Sequence, residues 1–145
     1  MKVLVACECS GRIRVAFRDR GHDAWSCDIK KDELMLRGDP GNCEYHIQGD
    51  VLDHLNDGWD MMIGHPPCTY MCRNRARLNR REGRTIDTSL FTALLNAPID
   101  KICIENPVPS LAANLPRYTQ IIQPYQFGHD HSKKTCLWLK NLPNL

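Results

Sequence analysis

The 145-residue sequence has no apolar run long enough to cross a bilayer, and its first residues lack the hydrophobic segment of a secretory signal. It also has no internal repeat, low-complexity tract or Pro/Gly-rich linker. Its length fits one domain and leaves no room for two. We therefore expect a single cytoplasmic domain over residues 1–145, with no membrane partner.

Paired Cys-x-x-Cys spacing is missing as well, although the chain has eight cysteines. No histidine pair completes a zinc site at the usual distance, so we expect no metal. A disulfide scaffold needs an oxidising compartment, which the absence of a signal argues against. Four of the cysteines fall in or next to apolar strand patterns, where a thiol packs as a small hydrophobic group: Cys7, Cys27, Cys103 and Cys136.

Charge bias is weak overall, since the formal net charge is only +2, but basic residues cluster locally. Six arginines lie between residues 73 and 84, opposed only by Glu82. Such a cluster is typical of a solvated face or loop, and it is also how proteins contact phosphates.

Short apolar runs alternate with helical patterns along the chain. We predict strands at residues 2–6, 22–27, 45–48, 59–63, 101–104, 118–122 and 135–139, and helices at 12–20 and 87–96. We expect residues 30–42 and the arginine-rich stretch to be loops, and residues 51–56 and 109–118 to be helical only in part. This alternation predicts an α/β fold with a Rossmann-like, doubly wound, mostly parallel sheet.

Polar residues follow most of the predicted strands. They are residues 7–11, Asp28, Asp50, residues 65–68 and the pair Glu105-Asn106. Because the carboxyl ends of parallel strands meet at one edge of a sheet, we expect the chemistry of the protein there.

The order of these elements carries a family resemblance. A glycine turn follows the first strand, single acids follow the second and third, Pro-Pro-Cys follows the fourth, and Glu-Asn-Pro follows the fifth. Residues 127–135 then form a basic segment before the last strand. The chain resembles the cytosine-C5 DNA methyltransferases along nearly its whole length, and especially the small cytosine-methyltransferase-like proteins of bacteriophages and prophages.

The resemblance implies a reactive cysteine and a partner acid. Cys68 would be the nucleophile, Glu105 would bind the N3 edge of cytosine, and Asn106 would organise the loop that Pro66 and Pro67 stiffen. Covalent addition of a thiolate is a sound way to activate an unreactive ring carbon, and an acid at N3 makes the addition easier. The alternatives are that Cys68 is an inert residue after a turn and that Glu105 caps a helix.

The resemblance also implies S-adenosylmethionine as cofactor. Its site would be formed by residues near the ends of the first four strands: Cys9, Ser10, Gly11, Asp28, Asp50 and Pro66. The first turn contains one glycine where that family commonly has three. The alternative interpretation of Asp28 and Asp50 is that both are solvated loop acids without a role in cofactor binding.

DNA is the implied partner. The candidate phosphate contacts are the basic residues after Cys68 and before the last strand: Arg73, Arg75, Arg77, Arg80, Arg81, Arg84, Lys133 and Lys134. Few residues follow Lys134, so the target-recognition region of full cytosine methyltransferases has no counterpart in this sequence. A homodimer would supply missing surface through the apolar residues near the end: Trp138, Leu139, Leu142 and Leu145.

Three classes of function follow. The first is a minimal cytosine methyltransferase, in a bacterium or a phage-infected host cell. The second is a non-catalytic nucleic-acid- or nucleotide-binding protein on a degenerate methyltransferase scaffold. The third is an interaction protein that engages a host component.

Overall fold

The computed structural model describes residues 1–36 and 40–145 and contains one seven-stranded sheet. The strands, listed with their bounds, are β1 (Lys2–Ala6), β2 (Asp23–Asp28), β3 (His46–Gln48), β4 (Met61–Gly64), β5 (Lys101–Pro107), β6 (Gln120–Ile122) and β7 (Thr135–Lys140). All seven lie at the predicted places, although β5 continues three residues further, through Glu105 and Asn106.

The strand order across the sheet is β3-β2-β1-β4-β5-β7-β6. Strands β3, β2, β1, β4 and β5 pair in parallel, and β7 is antiparallel to both of its neighbours, β5 and β6. The doubly wound, mostly parallel sheet is thus confirmed. From β1 the chain builds outward to β3 on one side, then returns to β4 on the other, so a ligand crevice is expected where the order reverses, between β1 and β4.

The sheet owes its stability to continuous apolar strands. Four consecutive residues of β1, from Val3 to Ala6, are fully buried, as parallel strands covered on both faces require. Met62 and Ile102 continue the core through the next two strands, and Phe91 covers it from a helix. The polar residues therefore collect at the strand ends.

In residues 1–36 and 40–145, the α-helices that cover or border the sheet are α1 (Arg12–Arg18), α2 (Glu33–Leu36), α3 (Ala76–Arg81) and α4 (Ser89–Leu95). The 3₁₀ helices in the same ranges are Pro40–Tyr45, Val51–His54, Arg73–Arg75, Leu111–Ala113 and Pro124–Phe127. Among the described residues, no helix is long and apolar enough to cross a membrane.

The expectation of loops at residues 30–42 and in the arginine-rich stretch was wrong in part. The first contains α2 and the start of a 3₁₀ helix, and its Gly38 lies outside the described residues. The second contains a 3₁₀ helix and α3, because Ala, Leu and Arg are good helix formers and Asn79 anchors the helix. The Asn79 side chain is buried and donates to the Tyr70 carbonyl at 2.7 Å.

Helix α1 buries an arginine. Arg14 is fully buried, and its Nη2 lies 2.6 Å from Oδ2 of Asp32, which is itself 4% exposed. Its Nη1 donates to the Ser26 hydroxyl in β2, which contacts His46 Nδ1 at 2.8 Å. His46 Nε2 in turn lies 3.0 Å from the Lys30 carbonyl. The network joins α1, β2, β3 and the loop after β2.

Trp138 lies inside the chain and so is not available to a second subunit. It is 2% exposed, its ring packs edge-on against Phe91 at 4.9 Å and Tyr118 at 6.0 Å, and its Nε1 donates to the Pro116 carbonyl at 2.8 Å. Of the apolar residues proposed for a dimer surface, Leu145 is largely exposed.

Candidate active site

The ends of β1, β4 and β5 meet at one edge of the sheet, and a histidine and a glutamate pair there. The backbone N–H of His65, the first residue after β4, donates to the Ala6 carbonyl at 3.0 Å. The His65 Nδ1 lies 3.3 Å from Glu105 Oε2, and each side chain is about one-quarter exposed. Glu105 is therefore an acid with an imidazole neighbour at the solvent edge, rather than a helix cap.

Asn106 holds the loop that follows β4. Its side chain is 1% exposed and its Nδ2 donates to the Pro66 carbonyl at 3.1 Å. The strand β5 thus fixes the backbone of the Pro66-Pro67-Cys68 segment through one buried hydrogen bond. The Asn106 Oδ1 is buried without a protein partner.

Cys68 begins a tight turn in which its carbonyl accepts from the N–H groups of Met71 at 3.1 Å and Cys72 at 3.2 Å. Its side chain is half-buried. Among the described residues, no hydrogen bond joins Cys68 to Glu105, whose recorded side-chain partner is His65. Cys68 follows β4 by four residues and Glu105 lies in the neighbouring strand β5, so both belong to the segments at this edge of the sheet.

Several other thiols are held in the protonated form. Burial, with the nearby carboxylates of Asp28 and Asp50, raises the pKa of Cys7 to about 12. Burial raises the pKa of Cys27 and of Cys103 to about 11, and also raises that of Cys136. These four are the cysteines expected from the sequence to pack as apolar groups, and Cys27 and Cys136 are indeed buried. A thiol that resists ionisation is a poor nucleophile.

The turn after β1 is covered by the chain itself. Gly11 has a φ of +71°, and a Cβ at this position would lie 2.6 Å from Leu34 Cδ1 and 2.9 Å from Arg14 Nη2. The Glu33 N–H donates to the Cys9 carbonyl at 2.7 Å, which fixes α2 against the same turn. The left-handed φ and the packing of Leu34 in α2 are enough to require glycine at this position, so Gly11 is not by itself a sign of a cofactor site.

A buried carboxylate with an unused oxygen lies at the end of β1. Glu8 is 7% exposed, its Oε1 accepts from the Ser10 hydroxyl, and its Oε2 is buried without a protein partner. Such a group attracts a cation or a hydrogen-bond donor. Sequence reasoning assigned no role to Glu8 or to His65, although both stand in the polar segments that end β1 and β4.

Asp28 and Asp50, the two acids predicted to bind S-adenosylmethionine, each accept a hydrogen bond from a nearby backbone N–H. Oδ1 of Asp28 accepts from the Lys30 N–H at 2.8 Å, at the end of β2. Oδ1 of Asp50 accepts from the Leu52 N–H at 3.0 Å, which makes this exposed carboxylate the N-cap of the 3₁₀ helix Val51–His54. Each carboxylate has a second oxygen that these bonds leave uncommitted.

The loop after β4 is tied to the segment after β5. The Arg73 N–H donates to the Val108 carbonyl at 2.9 Å, and the Ser110 N–H donates to the Met71 carbonyl at 2.8 Å. A cleft of about 900 Å³ opens beyond these bonds, between residues 73–86 and 108–118. Arg73 and Arg84 line it.

Four of the remaining predicted basic contacts lie at the surface. Arg77, Arg81, Lys133 and Lys134 are exposed, and the side chains of Arg75 and Arg80 lie outside what the structure describes. Lys133 and Lys134 directly precede β7, which starts at the same edge of the sheet at which β5 ends. In residues 1–36 and 40–145, no three His, Cys, Asp or Glu side chains form a group that could hold a metal ion.

The fold is that of a methyltransferase-type α/β domain. The structure of the bifunctional kinase-methyltransferase WbdD superposes with a TM-score of 0.54 and 13% sequence identity, over 99% of this chain and 35% of that one. A second WbdD structure gives a TM-score of 0.53 with 13% identity, over 96% of this chain and 35% of that one. This chain thus corresponds to about one-third of WbdD.

An rRNA methylase from Escherichia coli also matches, with a TM-score of 0.48 and 14% identity, over 95% of this chain and 56% of that one. No family model matches the sequence, and no curated protein matches it.

Proposed function

We propose that the protein transfers a methyl group from S-adenosylmethionine to C5 of cytosine in DNA, with Cys68 as the nucleophile. The observation that carries the proposal is the His65–Glu105 pair beside a Cys-containing loop that buried Asn106 anchors. A nucleophile, an acid and a residue that orients the acid are the groups such a reaction needs.

The residues divide the chemistry as follows. The Cys68 thiolate adds to C6 of the ring, while Glu105 donates a hydrogen bond or proton at N3, so that electron density moves to C5. After C5 has gained the methyl group, loss of the C5 proton to a base expels the thiolate and restores the aromatic ring. His65 is a positioning residue, because it acts through its bond to Glu105.

The groups around β1 fit the donor in part. The orphaned Glu8 Oε2 suits the ammonium group of S-adenosylmethionine, and Asp28 suits the ribose hydroxyls at the end of β2. When bound, the donor supplies an electrophilic methyl group. Leu34 fills the space beside Gly11, so Glu8 and Asp28 are expected to matter more for donor binding than the glycine does.

Methyl transfer to cytosine-containing oligonucleotides tests the proposal directly. We expect Cys68→Ala to abolish transfer and Glu105→Gln to slow it by roughly 10²–10⁴-fold, the usual contribution of a general acid or base. Cys72→Ala is the matched control, a second half-buried thiol in the same turn, and should retain activity. Product from the Cys68 variant at the wild-type rate would exclude covalent catalysis by this residue.

The role of His65 has its own readout. His65→Asn should lower kcat and shift the pH profile of transfer, because the imidazole contacts the acid and a structural residue would leave the profile in place. An unchanged pH profile would show that His65 does not influence the proton that Glu105 donates.

A non-catalytic nucleic-acid-binding protein is the second candidate, favoured by the packing of Leu34 against Gly11. Calorimetric titration with S-adenosylmethionine separates the two. Micromolar binding that weakens in Glu8→Gln and Asp28→Ala supports the methyltransferase. Absence of heat and of a thermal shift at millimolar donor supports the binding protein.

A further inference from the structure

The cleft beyond the Cys68 loop has a composition that its packing role does not explain. Three arginines line it, Arg73, Arg84 and Arg117, and no carboxylate residue is among the described residues that do. Arg117 belongs to the segment after β5, so the positive charge comes from both walls. Such an arrangement attracts an anion.

Arg84 is held in place by Tyr70. The Arg84 Nη1 lies 3.3 Å from the Tyr70 hydroxyl, and the guanidinium lies 5.2 Å from the Tyr70 ring centroid. The Arg84 N–H also donates to the carbonyl of buried Asn79, another lining residue, at 3.0 Å. The Glu82 carboxylate contacts the Nε of Arg84 and offsets part of its charge, so Arg73 and Arg117 supply most of the positive charge of the cleft. A guanidinium fixed in this way loses little entropy when it binds phosphate.

The interior of the cleft is apolar with a few polar groups. Ile86, Val108 and Leu115 contribute apolar surface, and Tyr118 contributes an aromatic ring. Ser110 is 5% exposed, and its hydroxyl is buried with no protein partner. Apolar walls with a few polar groups are typical of small-molecule sites, whose volumes of roughly 300–1,000 Å³ include that of this cleft.

We propose that this cleft binds a nucleoside monophosphate unit, with the base between the apolar walls and the phosphate at the arginines. The unit comes either from a free nucleotide or from an unpaired position of a single strand. A stacked base in a duplex cannot enter, because a base must leave the stack to be enclosed. Neither Cys68 nor Glu105 lines the cleft, so it would hold a nucleotide beside the reacting one.

This inference rests on the proposed function only in its choice of a nucleic-acid substrate. Binding is therefore measured without donor and in the Cys68→Ala protein. A failure of methyl transfer then leaves the binding result unchanged, and a failure of binding says nothing about the thiol chemistry.

The probes are a fluorescently labelled single-stranded dodecamer, the matching duplex, dCMP and deoxycytidine. If the source is a free nucleotide, dCMP should bind at least tenfold more tightly than deoxycytidine. If the source is nucleic acid, the single strand should bind at least tenfold more tightly than the duplex. Binding of dCMP alone identifies a free nucleotide as the source, and preferential binding of the strand identifies nucleic acid. Equal affinity for strand and duplex, together with no binding of dCMP, would overturn the proposal.

Variants assign the site. Arg117→Ala should weaken binding by about tenfold, as expected for a lost charge-assisted hydrogen bond. For the strand, it should also lower the slope of log K against log salt by about 0.7. Arg20→Ala, which removes another exposed charge two residues beyond the end of α1, should change neither by as much. Ala112→Trp, which fills the cleft from an exposed position, should abolish binding. Unchanged binding in both cleft variants would refute the site.

Discussion

Replacement of Asp32 by Asn tests how much the buried arginine of α1 depends on its partner. The side chains of Arg14 and Asp32 are 0% and 3% exposed, and Nη2 lies 2.6 Å from Oδ2. Asn keeps the Oδ1 that accepts from the Leu34 N–H at 2.8 Å, so the substitution removes the charge and spares the turn. The guanidinium is then left without a counter-ion in the protein interior.

Loss of one partner of a buried ion pair costs about 3–5 kcal/mol. Domains of this size unfold with about 5–15 kcal/mol, so the change is a large share of the total. The melting temperature should fall by roughly 6–20 °C, since each kcal/mol corresponds to about 2–4 °C at this length. Urea unfolding followed by circular dichroism measures the free energy, and a thermal scan gives the temperature.

Two comparisons sharpen the result. The double variant Arg14→Met, Asp32→Asn removes both charges, keeps the acceptor for the Leu34 N–H, and should regain most of the loss. Glu82→Gln, which breaks an exposed pair with Arg84, should leave the urea midpoint close to that of the wild type, because solvent screens such a pair. If Asp32→Asn costs less than about 1 kcal/mol, the pair does not hold the loop after β2 in place.

Two further effects on stability follow from the packing. Gly64→Ala should lower the free energy of unfolding by about 1–3 kcal/mol, because a Cβ there would lie 2.7 Å from Ile104 Cδ1. Gly49→Ala is the control, since a Cβ at Gly49 meets only an ordinary contact. Equal urea midpoints for the two variants would contradict this prediction. Burial raises the pKa of Cys7 to about 12, so the folded state favours the thiol, and the resulting stability is complete below the ordinary pKa of 9.0 and is lost as pH rises from there toward 12. Urea midpoints between pH 8 and 10.5 should therefore fall less steeply in Cys7→Ala than in the wild type, and parallel slopes would contradict the assignment.

Local patterns in the sequence predict the strands well, because each buried strand is a short apolar run that a polar segment ends. They fail for Arg14, which looks like part of the solvated side of α1. Its burial depends on Asp32, which lies 18 residues away, and on Ser26 in a neighbouring strand. A local pattern contains no information on such a partner.

The candidate site shows the same division. The position of Glu105 at a strand end follows from the order of strands and polar segments. Its pairing with His65, 40 residues away, follows from the adjacency of β4 and β5 in the sheet, which local patterns do not specify. The cleft depends on the bonds between the segments after these two strands, and its Arg117 lies far from the arginine cluster in sequence.

The enclosed position of Trp138 makes the indole an internal optical reporter. Tyr118 and Pro116, which contact its ring and its Nε1, also form part of the cleft wall. A molecule that enters the cleft therefore meets two residues that contact the indole directly. Phe91 also packs against the ring, from the core. In a protein whose other two tryptophans, Trp25 and Trp59, are replaced by Phe, the emission of Trp138 would report both the packing of the core and the occupancy of the cleft.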